Sequence, residues 1–126
     1  MDERFYTGIQ DFNEEKFYEA HEVLEDLWHE YREDDRTFIQ GLIQIAAAFY
    51  HLQCENYRGA ISQLAKGKQK LERYSPAHHD IDVACLLSKV EEWMASVEKL
   101  QRDPSFRRAE EKFPKLLNKN SEPMNL

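Results

Sequence analysis

The sequence is poor in glycine and proline, with four of each in 126 residues. Turns and strand connections draw heavily on those two residues, so a loop-rich or all-β architecture is excluded. Cysteine is also scarce. Cys54 and Cys85 form neither a disulfide framework nor a closely spaced thiolate pair, and they read as free thiols in a reducing cytoplasm. Long apolar runs are missing: the longest is about ten residues, half of what a bilayer-spanning helix needs. The start, MDERFY, lacks a basic stretch followed by an apolar one, so a secretory leader is not expected.

Basic residues are in deficit, 17 Lys and Arg against 24 Asp and Glu, for a net charge of −7. Phosphate binding needs clustered Lys and Arg, so nucleic acid and anionic membrane are disfavoured as partners. The local exception, KGKQKLER at 66–73, lies on the last turns of a helix, where positive charge suits the helix dipole. Glycine-rich phosphate loops, a nucleophilic Ser or Cys beside a base, and the aromatic set of RNA-binding sheets are all missing. No cofactor is implied, and no complete metal set is recognised.

What is present is helix. Hydrophobic residues make up 41% of the chain and charged residues 33%, a composition suited to a globular domain of high surface charge. Phe5, Ile9 and Phe12 mark a first helix over 3–12, and Asn13 is placed to cap the next. In the second, about 14–32, Phe17, Ala20, Val23, Leu24, Leu27, Trp28 and Tyr31 cover an apolar arc of roughly 140°. EDDR, residues 33–36, reads as a turn. The third helix, about 36–54, is apolar almost all the way round and is expected to be the buried centre. Only Gln40, Gln44 and His51 interrupt it, on one stripe. A fourth runs from Asn56 to about Tyr74, where Ser75-Pro76 ends it. The fifth is capped by Asp80 or Asp82 and carries a stripe from Val83 to Leu100. The fold expected is all-α, an antiparallel array of four to five helices forming one domain over 1–103. Residues 104–126 are expected as a mostly extended or weakly ordered tail with at most a short turn around Phe106 to Phe113.

An internal repeat is visible at an offset of 40, which carries Phe12 onto Leu52, Phe17 onto Tyr57, Ala20 onto Ala60 and Leu24 onto Leu64. The two helical hairpins therefore resemble each other. NYRGAISQLAKG resembles the second helix of a tetratricopeptide repeat, a family whose usual period is about 34, so the likeness is one of packing logic.

The polar candidates gather on FYEAHEVLEDLWHE, residues 17–30. His21, Glu25 and His29 are spaced i, i+4, i+8 and form one row. Imidazole and carboxylate at i, i+4 can both reach one divalent metal, so His21 and Glu25 are weak metal candidates, though HExxH is not matched. A buried amide left unpaired costs about 1–3 kcal/mol, so Gln40 and Gln44 call for partners, and Glu19, Glu22 and His21 are the nearest suitable groups. Two outcomes follow. His21, Glu22, Glu25, Gln40, Gln44 and His51 form a structural network that fixes helix register, or they line a small polar pocket. His78-His79-Asp80 also offers metal-binding groups but reads more simply as a loop with a capping aspartate. Gly41 in mid-helix points to close approach of a neighbour, with Trp28 as the candidate.

FNEEKFYEAHEVLEDLW followed by FIQGLIQIAAAFYHLQCENYRGAISQL resembles the family catalogued as domain of unknown function 309, over about residues 5–75. The matching positions are Phe12, Asn13, Glu19, Ala20, His21, Glu22, Glu25, Trp28, Gln40, Gly41, Leu42, Gln44, Gly59 and Ala60. The resemblance implies a small all-helical domain and carries no activity with it. The function expected is a non-catalytic protein-interaction or scaffold domain whose partner is another protein. The alternative is a small enzyme or a ligand- or metal-binding protein with its site at the seam of the second and third helices.

Overall fold

The computed structural model describes residues 2–32, 34–106 and 112–124. Five α-helices follow one another: α1 Glu3–Asn13, α2 Phe17–Glu30, α3 Arg36–Gln53, α4 Tyr57–Leu71 and α5 Val83–Arg102. A 3₁₀ turn, Glu72–Tyr74, and a minute hairpin, β1 Ala77–His78 with β2 Ile81–Asp82, join α4 to α5. Each helix packs on the next in the chain, and α3 and α4 pack most extensively. The described residues are all-α apart from the β1–β2 hairpin, the class expected from the helical spacing of the apolar residues. No helix among the described residues is long and apolar enough to cross a membrane.

α3 is the buried centre. Ten of its 18 residues are buried, against four or five in each of the other helices. The apolarity of α3 on all sides is satisfied by α2 on one flank and α4 on another. Gly41 permits that second contact. A Cβ on it would stand 2.8 Å from Leu71 Cγ, and one on Gly67 would stand 3.0 Å from the Gly41 carbonyl oxygen. The close approach expected at Trp28 is therefore made to α4 instead, because the two glycines oppose each other across the α3–α4 interface.

The repeat extends to the backbone. Lys16 N–H donates to Asp11 O and Asn56 N–H to His51 O, each over 2.8 Å. Glu15 N–H meets Phe12 O as Glu55 N–H meets Leu52 O. Glu15 and Glu55 both adopt positive φ, 62° and 59°. A single left-handed residue is the common way to close a helix. The same device used at the same offset makes the two hairpins alike.

Asn13 departs from its expected role. It is the last residue of α1, and α2 begins after Lys16 with no side-chain cap. Its amide instead grips the C-terminal segment: Leu116 N–H donates to Asn13 Oδ1 at 2.7 Å, and Asn13 Nδ2 donates to Leu116 O at 3.1 Å. The left-handed turn at Glu15 displaces the start of α2 by three residues, which puts Asn13 out of capping range. Residues 112–124 run across the bundle from there. Phe113 stacks on Trp93 and meets Phe17 and Phe49 edge-on. Leu117 O accepts from Asp82 N–H. The turn expected around Phe106 to Phe113 falls mainly on 107–111, outside the described residues.

The β1–β2 turn consists of His79 and Asp80, both at positive φ, 47° and 64°. A two-residue hairpin loop favours this conformation and normally fills it with Asn and Gly. A histidine there bears a conformational cost of about 1–2 kcal/mol. Asp82 caps α5 by accepting from Cys85 N–H.

Candidate functional site

The expected seam divides into three separate arrangements. On α2, His21 Nε2 lies 3.0 Å from Glu25 Oε2, and His29 Nε2 lies 3.6 Å from Glu25 Oε1. This row sits at the surface, with the His29 side chain 61% exposed and that of Glu25 43%. Tyr18, His21, Glu22, Glu25 and Asp26 border a shallow depression of about 140 Å³. Tyr18 is itself 45% exposed and packs on Tyr50 across the seam, with ring centroids 5.1 Å apart. A hydrogen bond with Cys54 is the main reason that the Tyr50 phenol is pushed above its ordinary range.

His51 turns the other way. Its Nδ1 lies 3.1 Å from Asn56 Nδ2, while Asn56 Oδ1 accepts from Gly59 N–H as the N-cap of α4. The cap fixes which end of the amide donates, so His51 accepts at Nδ1 and, when neutral, carries its proton on Nε2. Engagement with α4 explains why His51 does not join the seam.

Gln40 and Gln44 face α2 across a recess of about 230 Å³ whose other walls are Glu25, Trp28 and Ile43. Two buried side-chain atoms here lack a hydrogen-bond partner, the donor Trp28 Nε1 and the acceptor Gln44 Oε1. The internal partner expected for Gln44 is therefore missing at its oxygen. Glu25 turns back along its own helix to His21 and His29, and Trp28 Nε1, the N–H donor that α2 brings to the recess, is itself without a partner. Trp28 is half-buried, with the Arg36 guanidinium 3.7 Å above its ring and Arg36 Nε donating to its carbonyl.

Sequence reasoning paired His78 and His79 with Asp80. The structure pairs them with Asp35, 43 and 44 residues away: His78 Nε2 is 2.7 Å from Asp35 Oδ1, and His79 Nε2 is 2.6 Å from Asp35 Oδ2. Burial pushes the Asp35 carboxyl up, but the hydrogen bonds from His79 and His78 outweigh it and hold the group below its ordinary value. Asp35 is the N-cap of α3, yet its side chain makes no capping bond. No local pattern marks this, because an aspartate before a helix reads as a cap.

Residues 5–63 match the model of the family described as Domain of unknown function (DUF309), the family that the EAHE and QGLIQ runs resemble. The match spans α1 to the first turns of α4 and so takes in the α2–α3 recess. No curated protein shows significant similarity to the chain.

Proposed function

We propose that this domain is a non-catalytic interaction module of the cytoplasm and that the α2–α3 recess is its binding face for a segment of another protein. The observation that carries the reading is that Trp28 Nε1 and Gln44 Oε1, two buried and unsatisfied atoms of opposite hydrogen-bonding sense, belong to side chains that line one recess. Each costs about 1–3 kcal/mol in the free protein. A peptide group seated between them makes good both losses at once. The paired hairpins, with the small residues Ala60 and Gly67 buried on α4 and Gly67 against α3, share the packing logic of tetratricopeptide repeats. The net charge of −7 favours a protein partner over nucleic acid or anionic membrane. The free thiols of Cys54 and Cys85 suit a reducing compartment.

N-methylacetamide, a bare peptide group, is the simplest probe. Titrated into ¹⁵N-labelled protein, it should shift the Trp28 indole N–H signal saturably and leave that of Trp93 in place. Gln44→Met should weaken the shift several-fold. Equal, unsaturable shifts of both indoles would overturn the assignment.

A further inference from the structure

Among the described residues, only Asp35, His78 and His79 bring three metal-ligating groups together, with all three ligand atoms within 4.8 Å of one another. We propose that they form a binding site for one divalent transition-metal ion of the zinc class, distinct from the α2–α3 recess. Two imidazoles and one carboxylate are a donor set that suits zinc and its first-row neighbours, and three protein ligands leave a fourth position open to water or another molecule.

Three independent features show that the cluster is built, and the first two depart from what the local sequence would otherwise do. Asp35 occupies the N-cap of α3 but turns its carboxylate away from the helix amides. Successive residues of an extended strand point to opposite faces, yet His78 and His79 reach the same carboxylate, because His79 has left the strand for a left-handed conformation at φ 47°. The rings are also held. His78 packs against Phe38 and Tyr74, both at 4.7 Å between centroids, and His79 against Phe5 at 5.9 Å. Tyr31 donates to Asp35 Oδ2 from 3.5 Å, the kind of outer contact that orients a ligating carboxylate.

The cluster admits an ion with little movement. Its side chains are 22–33% exposed, so solvent reaches it. Ligand atoms around a tetrahedral ion at about 2.0–2.2 Å stand about 3.3–3.5 Å apart. The present nitrogen–oxygen distances of 2.6–2.7 Å therefore need to open by less than an ångström. Binding exchanges two N–H···O hydrogen bonds for two nitrogen–metal bonds. A neutral imidazole shifts its proton from Nε2 to Nδ1, and a protonated one releases a proton to solvent.

The test is a zinc titration of the full chain after chelator treatment, followed by calorimetry and by ¹H–¹³C spectra of the histidine rings. One equivalent should bind, moving the ring signals of His78 and His79 and leaving those of His51 and His29 in place. Cobalt(II) should give the visible bands of a four- or five-coordinate ion. Asp35→Asn and His79→Ala should each weaken zinc binding at least ten-fold, and His29→Ala should leave it unchanged. Asp35→Glu, which keeps the charge, should lose less than Asp35→Asn. The proposal fails if wild-type protein shows no saturable binding. It also fails if zinc moves the His21 and His29 signals instead, or if Asp35→Asn and His79→Ala both bind as wild type. The wild-type spectra decide the matter even where a variant does not fold.

Discussion

Replacing Gln44 by methionine should make the protein more stable. The two side chains have nearly the same length and volume, and both are good helix formers, so neither cavity nor strain is introduced in α3. What changes is the buried Oε1, which has no partner. An unsatisfied buried acceptor costs about 1–3 kcal/mol. Gln44 is half-buried rather than fully enclosed, which places the relief at the lower end, about 1–2 kcal/mol. Against a domain of this size that is a rise in Tm of roughly 3–8 °C. Urea denaturation should show a higher midpoint with an unchanged slope, because the surface exposed on unfolding stays the same. A loss of stability by 1 kcal/mol or more would refute the reasoning, since it would mean that the amide oxygen is satisfied in solution and that the recess contains no orphan. Stabilisation together with weaker N-methylacetamide binding is the pattern of a site that holds strain in order to bind.

Other substitutions test the fold and the remaining polar groups. His21→Ala should change stability by less than about 1 kcal/mol, because its partner Glu25 is 43% exposed and is left in water rather than orphaned; a larger loss in thermal denaturation would restore the structural network expected from sequence. Gly67→Ala should destabilise by about 1–2 kcal/mol despite the better helix propensity of alanine, since its Cβ would meet Ile45 Cδ1 at 2.6 Å and the Gly41 carbonyl at 3.0 Å. Chemical denaturation decides the sign, and a gain would show that α3 and α4 can part at no cost. Asn13→Ala removes both bonds to Leu116 and should cost about 1–3 kcal/mol, with faster hydrogen exchange at the Leu116 and Leu117 amides as the specific readout; unchanged exchange would mean that Phe113 and the Asp82–Leu117 bond hold the segment without Asn13.

Much of the fold is legible in the chain, for reasons that particular residues make plain. α3 was expected over 36–54 and spans Arg36–Gln53, because a run apolar on every side has only one way to satisfy itself. Asn56 caps α4 and Asp82 caps α5, since a cap acts on amides two or three residues away and needs nothing from the rest of the molecule. The repeat at an offset of 40 was readable in side chains and returns in the backbone of the turns at Glu15 and Glu55. Asn13 marks the limit of such reading. Its type and position suit a cap, but its partner Leu116 is 103 residues away, and no local pattern encodes that distance.

The polar groups show the same limit in sharper form. Spacing on α2 correctly puts His21, Glu25 and His29 in one row, yet a row is a property of one helix. Whether it meets α3 depends on how the two helices are rotated about their axes. The rotation leaves Glu25 with its own histidines and leaves Gln44 and Trp28 lining a recess, with Gln44 Oε1 and Trp28 Nε1 buried and unpaired. In the hairpin, a helical or extended reading of His78-His79 sends the two rings to different sides. Only the left-handed backbone at His79 turns both onto Asp35, and the enrichment of histidine in that conformation is too weak to announce it. Both arrangements rest on residues that break a local rule: an aspartate that does not cap, a histidine at positive φ, and a glutamine whose oxygen is buried without a donor. A natural sequence keeps such departures where something other than folding holds them in place. These three positions are therefore where binding should be sought.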